Sequence, residues 1–342
     1  MGQVKQYIWS APLKTGSILV NISSAIILFM ILVTGATGFI GRALVRQLSE
    51  TGQQVRVLLR PSPKSPRLPK GVPVEVSVVS LNDERGVRAA LRGVDEIYHL
   101  ASAAAQGRQG SLLKTDIEGT RTLAQVAASA DIKRLVFLSH LGADRASAFP
   151  VHKSKGIAEE HIRRSGVPYT IIRSSIVFGP EDGFTTDLSE IIRLFPGFVP
   201  IPGDGKILLQ PLWVEDLVTS LIWTLGNPDT INQTYEIGGG EYLTLRQIME
   251  TLMTVTHTRR TLVSLPPPYM RALIVLFDSV ARNFSASTYW IDYVAVNRTC
   301  PVDNLPRTFG LMPARFAYRL NYLEREPWYK TFMQRFIKPR LP

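Results

Sequence analysis

The chain has 342 residues, a formal net charge of +11 and a single cysteine. This length suffices for one large α/β domain or for two lobes, and a hydrophobic content of 45% is ordinary for a globular protein. One cysteine, Cys300, excludes an internal disulfide, leaves no basis for a structural zinc site and favours a reducing, cytoplasmic compartment.

The positive charge is concentrated in the C-terminal quarter. Residues 257–342 contain 13 lysines and arginines but five aspartates and glutamates. Such an excess favours an anionic partner, either a membrane surface or nucleic acid. The sequence carries no helix-turn-helix, zinc-finger or aromatic RNA-binding signature. We therefore predict no nucleic-acid partner, and a cytoplasmic protein that lies peripherally on a membrane or a membrane protein complex.

The chain begins with an extension, residues 1–29. Its apolar stretch, residues 18–29, is about 12 residues long, whereas a membrane span needs about 20. The stretch runs directly into the first predicted strand, so cleavage near residue 30 would damage the fold. Two interpretations stay open. Natural translation starts at Met30, or the extension is a genuine amphipathic or membrane-anchoring segment.

Three glycines lie in the sequence V-T-G-A-T-G-F-I-G at residues 33–41, between an apolar strand that begins at Met30 and a helix. In this context Gly35 allows a tight turn, Gly38 lets a pyrophosphate approach the backbone, and Gly41 lets the helix pack on the strand. The helix N-terminus adds free N–H groups and a partial positive charge. The intervening residues are predicted to contact a dinucleotide as well: Thr37, Phe39 and Ile40. The alternative is a tight turn without a ligand.

Strands and helices alternate from residue 30 onward, which is the pattern of a parallel sheet with crossover helices. Further strands are predicted at residues 54–59, 74–79, 96–100, 134–138 and 169–173. Helices are predicted at residues 42–51, 84–91, 116–130 and 154–165. This pattern predicts an α/β fold with a Rossmann-type, doubly wound parallel sheet.

The regular alternation ends near residue 180. Beyond it, helical stretches are separated by proline-rich turns, a helix opens at residues 213–218, and a short strand is predicted at residues 235–238. We therefore predict a dinucleotide-binding domain at residues 30–180, whose sheet is completed by parts of 205–240. A smaller C-terminal lobe for a substrate or partner would occupy residues 181–342.

One helix of this lobe, predicted at residues 269–284, is amphipathic. Its charged residues Arg271, Asp278 and Arg282 are seven and four positions apart, so they share one narrow face, and most of the remaining surface is apolar. Either the helix is buried between the lobes, or it is an interfacial or partner-binding helix.

Several stretches, in their order and spacing, resemble the extended or atypical short-chain dehydrogenase/reductase superfamily over about residues 30–260. The matching stretches are T-G-A-T-G-F-I-G (34–41), Y-H-L-A-S (98–102), D-I-E-G-T (116–120), R-L-V-F-L-S (134–139), S-K-G-I-A-E (154–159), I-I-R-S-S-I-V-F-G-P (171–180), Q-P-L-W-V-E-D-L-V (210–218) and Y-E-I-G-G (235–239). Within the superfamily, the chain is most similar to NmrA-like and epimerase-like members. These include the dinucleotide-binding accessory subunit of respiratory complex I and related photosystem assembly factors.

The end of the second strand bears on the type of cofactor. A carboxylate there would hold the 2′-hydroxyl of NAD, but this strand ends in Leu58-Leu59-Arg60. Arg60 can pair with a 2′-phosphate and Arg42 could assist, which favours NADP(H); NAD is the alternative. Leu81 would flank the adenine, and Ala101 would line the cofactor near its centre.

The superfamily's chemistry uses a tyrosine and a lysine four residues later on one helix, with an upstream serine or threonine. The resemblance implies that Lys155 is the lysine and Ser139 the serine. Val151 stands at the tyrosine position and cannot transfer a proton, and Asp116 stands where the family usually has asparagine. The neighbouring His152 is predicted to be a surface or cofactor-edge residue rather than a substitute acid.

Two functions remain open. The missing tyrosine, the amphipathic helix and the basic C-terminal region favour a NAD(P)(H)-binding accessory or assembly subunit of a membrane-associated complex. The glycine turn, Lys155 and the second lobe are also compatible with an NADPH-dependent oxidoreductase or epimerase-like enzyme acting on a small or lipid-like substrate. The sequence leaves open whether the protein is an enzyme.

Overall fold

The computed structural model of the protein describes residues 29–62, 66, 68–104, 110–195, 197–280 and 293–325. The extension predicted at residues 1–29 lies outside the described residues, apart from Phe29. So do residues 281–284 of the predicted amphipathic helix and the last 17 residues of the basic region, 326–342.

The centre of the molecule is a seven-stranded sheet in which every pairing is parallel. The described strands are β1 (Met30–Thr34), β2 (Gln54–Leu59), β3 (Glu75–Val78), β4 (Glu96–His99), β5 (Arg134–His140), β6 (Tyr169–Ser174), β7 (Val177–Phe178), β8 (Phe198–Pro202), β9 (Leu208–Leu209), β10 (Leu212–Trp213), β11 (Gln233–Ile237), β12 (Leu243–Thr244) and β13 (Thr261–Leu265). The sheet has the order β3-β2-β1-β4-β5-β6-β11. The chain order reverses at β1, whose Val33 pairs with Val57 of β2 and Tyr98 of β4, and this reversal leaves a crevice at the carboxyl ends of the strands.

Helices cover both faces of the sheet, so its strands are apolar on both sides. The described helices are α1 (Phe39–Glu50), α2 (Glu84–Ala90), α3 (Thr120–Ala128), α4 (Pro150–Ser165), α5 (Thr185–Leu194), α6 (Val214–Trp223), α7 (Leu245–Val255), α8 (Pro267–Val280), α9 (Asn304–Phe309) and α10 (Asn321–Arg325); a π-helical turn, Leu113–Gly119, leads into α3. One core lies between the sheet and α1 and α6, and contains Ile31 and Val33 of β1. The opposite core contains Leu32 and packs α2, α3 and α4. The Rossmann-type, doubly wound fold predicted from the sequence is confirmed.

The segments after β6 belong partly to the central sheet and partly to a third core outside it. β11 joins the central sheet beside β6, whereas α5, α7 and the parallel pair β8–β13 surround a third core that includes Phe178, Ile248 and Phe316. α8 follows β13 and buries Met270 and Ile274, with exposed fractions of 5% and 7%.

α8 also presents apolar side chains to solvent. Tyr269 is 67% exposed and Val275 is 41% exposed. On the adjoining β8–β13 pair, Phe198 and Val263 are exposed as well. Over residues 267–275, where burial is described, α8 is therefore buried along one stripe. Among the described residues, no helix has the length and apolar character needed to cross a membrane.

Two element boundaries differ from the sequence predictions in ways that affect the site. β5 continues to His140, so Ser139 lies inside the strand and not at its end. α4 begins at Pro150, four residues earlier than predicted, because proline at the first helical position lacks only an N–H that would be unpaired anyway. Val151, His152 and Lys155 consequently share one regular helix.

Candidate functional site

The three glycines that follow β1 have different surroundings. Gly35 has a φ of +73°, and a Cβ there would lie 2.7 Å from the Ala101 nitrogen. A Cβ on Gly41 would lie 2.1 Å from the Gly35 carbonyl oxygen, so this position needs glycine for packing. Gly38, the N-cap of α1, is exposed, and a Cβ there would meet only the Gly35 oxygen, at 3.3 Å, among the described residues. The open space at Gly38 fits a pyrophosphate at the N-terminus of α1.

The other predicted contacts of this turn surround it. Phe39 and Ile40 open α1 and are half-buried against the core beneath the turn. The carbonyl oxygen of Thr37 accepts a hydrogen bond from Arg42 at 2.9 Å. The Arg42 guanidinium also forms an ion pair with Glu181 at 2.8 Å. Arg42 is thus held by the protein itself, which does not favour its predicted role beside a 2′-phosphate.

Three further predicted cofactor residues lie on the loops that follow the strands. Ala101 donates its N–H to Thr34 Oγ1 at 3.3 Å, which places it across from the end of β1. Leu81 follows β3 and is half-buried against the core of α2 and α3. Arg60, directly after β2, is exposed and already interacts with a protein group.

A neutral histidine connects the ends of β1 and β4. His99 is fully buried between Thr34 Oγ1, 2.6 Å from Nδ1, and Thr120 Oγ1, 2.8 Å from Nε2. Burial, aided by the charge of Lys155, lowers the pKa of His99 to about 3. His99 is therefore uncharged at neutral pH, and it fixes the strand ends beside the glycine turn and does not serve as a proton donor.

Lys155 is buried beneath the carboxyl end of β5. Its ammonium donates a hydrogen bond to the Leu138 carbonyl at 3.2 Å, lies 3.6 Å from Asp116 Oδ1 and sits over the Phe137 ring. Burial lowers the pKa of Lys155, and Asp116 opposes that shift. Asp116 Oδ2 accepts the Ala103 N–H at 2.8 Å, whereas its Oδ1 has no hydrogen-bond partner among the described residues. The Lys155 ammonium is therefore a buried cation in a fixed position, and Asp116 Oδ1 beside it can still accept a hydrogen bond.

Ser139 belongs to a different hydrogen-bond network from that of Lys155. It is fully buried and donates its hydroxyl to Glu159 at 2.6 Å, and Glu159 also binds Arg173 and Arg163. This hydrogen bond gives Ser139 a structural role within the network. Its catalytic assignment stays a prediction that the geometry does not favour.

The position of the usual tyrosine is occupied by a buried apolar side chain, Val151, which is 5% exposed. Its neighbour His152 was predicted to be at the surface or the cofactor edge, and the surface placement is wrong, because the side chain is 2% exposed. The difference arises because Arg298, about 150 residues later, covers His152 and donates to its Nδ1 at 2.9 Å.

A cluster of aromatic and basic side chains was missed in the sequence. His140, His152 and Tyr293 form a triangle with ring centroids 6.1 to 6.4 Å apart. Arg298 stacks on Tyr293 at 4.2 Å and donates to the Tyr293 carbonyl. Of these residues only His140, the last residue of the buried strand β5, lies next to a stretch that the sequence analysis singled out, since Tyr293 and Arg298 belong to a segment without a motif.

Comparison with known proteins identifies the family. Residues 35–187 match the model of a family described as NAD(P)H-binding. A putative dihydroflavonol 4-reductase from Synechocystis sp. is 30% identical over 253 residues, covering 66% of this chain and 71% of the relative. The chain belongs to the extended short-chain dehydrogenase/reductase superfamily. The cofactor of this protein is accordingly a nicotinamide dinucleotide.

Other superfamily members show the breadth of the likeness. The mitochondrial NADH dehydrogenase [ubiquinone] 1 alpha subcomplex subunit 9 of Arabidopsis thaliana is 29% identical over 257 residues, which are 73% of this chain and 64% of that subunit. The chain thus spans a little under two thirds of that relative's length. UDP-glucose 4-epimerase of Thermotoga maritima, solved with UDP-glucose, superposes with a TM-score of 0.66 at 22% identity, covering 89% of this chain and 100% of the epimerase. This second likeness concerns the fold.

Proposed function

We propose that this protein is a NAD(P)(H)-binding accessory or assembly subunit of a membrane-associated complex, with NADP(H) preferred and with reduced or absent redox turnover. The glycine turn and the buried Lys155–Asp116 pair would hold the dinucleotide. A reduced nicotinamide dinucleotide bound there would be able to supply a hydride to an acceptor. A purely structural nucleotide is physically reasonable, because a ligand that binds only the folded state stabilises it.

The observation that carries the proposal is the combination of Val151 and Lys155. In the superfamily the lysine ammonium acts on a tyrosine one helical turn away. Here that position holds a buried valine, and the polar contacts of the ammonium among the described residues are the Leu138 carbonyl and Asp116. Lys155 is therefore suited to anchor a ribose and lacks the partner that passes a proton to a substrate.

The protein loaded with NADPH is expected not to oxidise it when mixed with a quinone or a carbonyl compound, because the usual proton donor is missing. Stopped-flow absorbance of the reduced nicotinamide measures this in a single turnover, after mass spectrometry has identified the nucleotide that co-purifies. Lys155→Ala serves as the comparison. Oxidation by the wild-type protein that Lys155→Ala abolishes would overturn the accessory-only role.

A second candidate function is an NADPH-dependent reductase or epimerase-like activity on a small or lipid-like substrate. The observation in its favour is the His140–His152–Tyr293 cluster, which places ionisable groups on and beside α4, the helix that carries Lys155. In that case the proton would come from a residue outside the usual tyrosine–lysine pair.

We propose Arg60 as the residue that selects NADP(H) over NAD, because the strand end offers a guanidinium and no carboxylate. Arg60→Ala is expected to weaken NADPH binding about tenfold while NADH binding changes little, since one charge-assisted phosphate contact is worth about 1.5–3 kcal/mol. Isothermal titration with both nucleotides measures the ratio. Arg164→Ala, on an arginine paired with Glu160, is the control. A preference that survives Arg60→Ala would refute this role.

We propose that α8 and the basic C-terminal region dock the protein to a membrane. The exposed Tyr269 and Val275 would enter the interface, and lysines and arginines of the basic C-terminal region would meet anionic headgroups. Tyr269→Asp combined with Val275→Asp is expected to reduce co-flotation with phosphatidylcholine–phosphatidylglycerol vesicles severalfold. Val76→Asp, at an exposed site on the edge strand β3, is the matched control. Equal flotation of all three proteins would contradict this surface.

A further inference from the structure

Three buried polar atoms lie unpaired in the His140–His152–Tyr293 cluster. Within the described part of the chain, no hydrogen-bond partner exists for His140 Nδ1, His152 Nε2 or the Tyr293 hydroxyl. An unpaired buried polar atom costs about 1–3 kcal/mol, and folded proteins carry few of them. Three on mutually neighbouring rings indicate a place that is completed by another molecule.

The hydrogen-bonding character of the cluster follows from Arg298. A guanidinium has only donors, so His152 Nδ1, 2.9 Å from Arg298 Nη1, must accept. The neutral imidazole then carries its proton on Nε2, and that N–H is a donor without an acceptor. The Tyr293 hydroxyl adds a second group that can donate.

Burial and the neighbouring charges keep the protonation states of the three side chains constant near neutral pH. Burial, followed by Arg298, lowers the pKa of His152 to about 4. Burial also lowers the pKa of His140, with further contributions from Lys155, His152 and Arg298. Burial raises the pKa of Tyr293 to about 12, with Arg298 opposing. Near neutral pH the two imidazoles are uncharged and the phenol keeps its proton.

We propose that His140, His152 and Tyr293 form a binding pocket for a small ligand that presents an sp² oxygen, a carbonyl or a carboxylate, to the His152 Nε2–H and the Tyr293 hydroxyl. At centroid spacings of about 6 Å the three rings contact one another, so the ligand would lie beside them, where the half-buried His140 and Tyr293 leave access. The pocket lies at the carboxyl end of β5, and the field of Lys155 favours an oxygen that carries negative charge. This binding function is independent of the accessory role and of hydride transfer.

The test is a titration of protein labelled with ¹⁵N in its histidine rings. Acetate and acetone are the probes, because both present an sp² oxygen and only acetate carries a charge. Saturable shifts are expected at His140 and His152, with acetate binding more tightly, and none at the exposed His257. Tyr293→Phe is expected to weaken binding about fivefold, the value of one lost hydrogen bond.

Tyr318→Phe, at a phenol that is 75% exposed, is the matched control and is expected to bind as the wild type does. His152→Met, whose side chain has no N–H, provides a second variant that removes the Nε2–H if Tyr293→Phe alters the fold. Saturable shifts of equal strength in wild type and Tyr293→Phe would overturn the pocket. So would the absence of saturable shifts at both histidines with both probes, or shifts that His257 follows equally.

Discussion

Replacing Gly38 with valine is expected to abolish dinucleotide binding while leaving the fold intact. Gly38 has φ −76° and ψ 171°, an extended conformation that valine adopts readily; a Cβ would meet the Gly35 oxygen at 3.3 Å, a tight contact that a shift of a few tenths of an ångström relieves, and otherwise faces space toward solvent. That space is where the pyrophosphate would approach the N-terminus of α1. Two lost charge-assisted hydrogen bonds of about 1.5–3 kcal/mol each would weaken NADPH binding by about a hundredfold or more. Fluorescence titration with NADPH measures the loss.

Gly41→Ala provides the opposite case, because its Cβ would lie 2.1 Å from the rigid Gly35 carbonyl oxygen. This variant is expected to lose the fold itself, so circular dichroism and urea unfolding separate the two glycines. Retention of NADPH binding by a folded Gly38→Val protein would contradict the placement of the phosphates. A Gly38→Val protein that fails to fold would contradict the open space at this position.

Glu159→Gln is expected to lower the free energy of unfolding by about 3 kcal/mol, the low end of the range for breaking a buried ion pair. The Glu159 carboxylate is fully buried and accepts from Ser139, Arg163 and Arg173. Glutamine keeps the volume but removes the charge that both guanidiniums require. The midpoint of urea unfolding, at constant slope, reports the change.

Glu160→Gln is the matched control, since it lies next on the same helix and pairs with Arg145 and Arg164, which are largely exposed. Its effect is expected to stay below about 1 kcal/mol, as for surface ion pairs. Equal unfolding midpoints for the two variants would mean that the Glu159 network contributes no more than a surface pair.

The order of the strands and helices could be predicted from the sequence because the residue patterns that indicate them are local. Both faces of the sheet are buried, so strands such as β1 are continuous apolar runs, and glycines follow several of the helices between them. Gly35 and Gly41 occupy the strained and crowded positions that a strand–turn–helix requires. The superfamily and its nicotinamide dinucleotide followed from the same motifs, and both are confirmed.

The sequence by itself also determined that valine replaces the usual tyrosine, because that is a matter of residue identity at a fixed helical spacing. It could not determine what surrounds His152. Tyr293 and Arg298 reach it from a segment that carries no motif, and the burial that makes these groups neutral or unpaired depends on packing between distant parts of the chain. For the same reason only the tertiary structure tied Ser139 to Glu159 and Arg42 to Glu181: a hydrogen bond depends on proximity in space, which one-dimensional spacing beyond a helical turn does not encode.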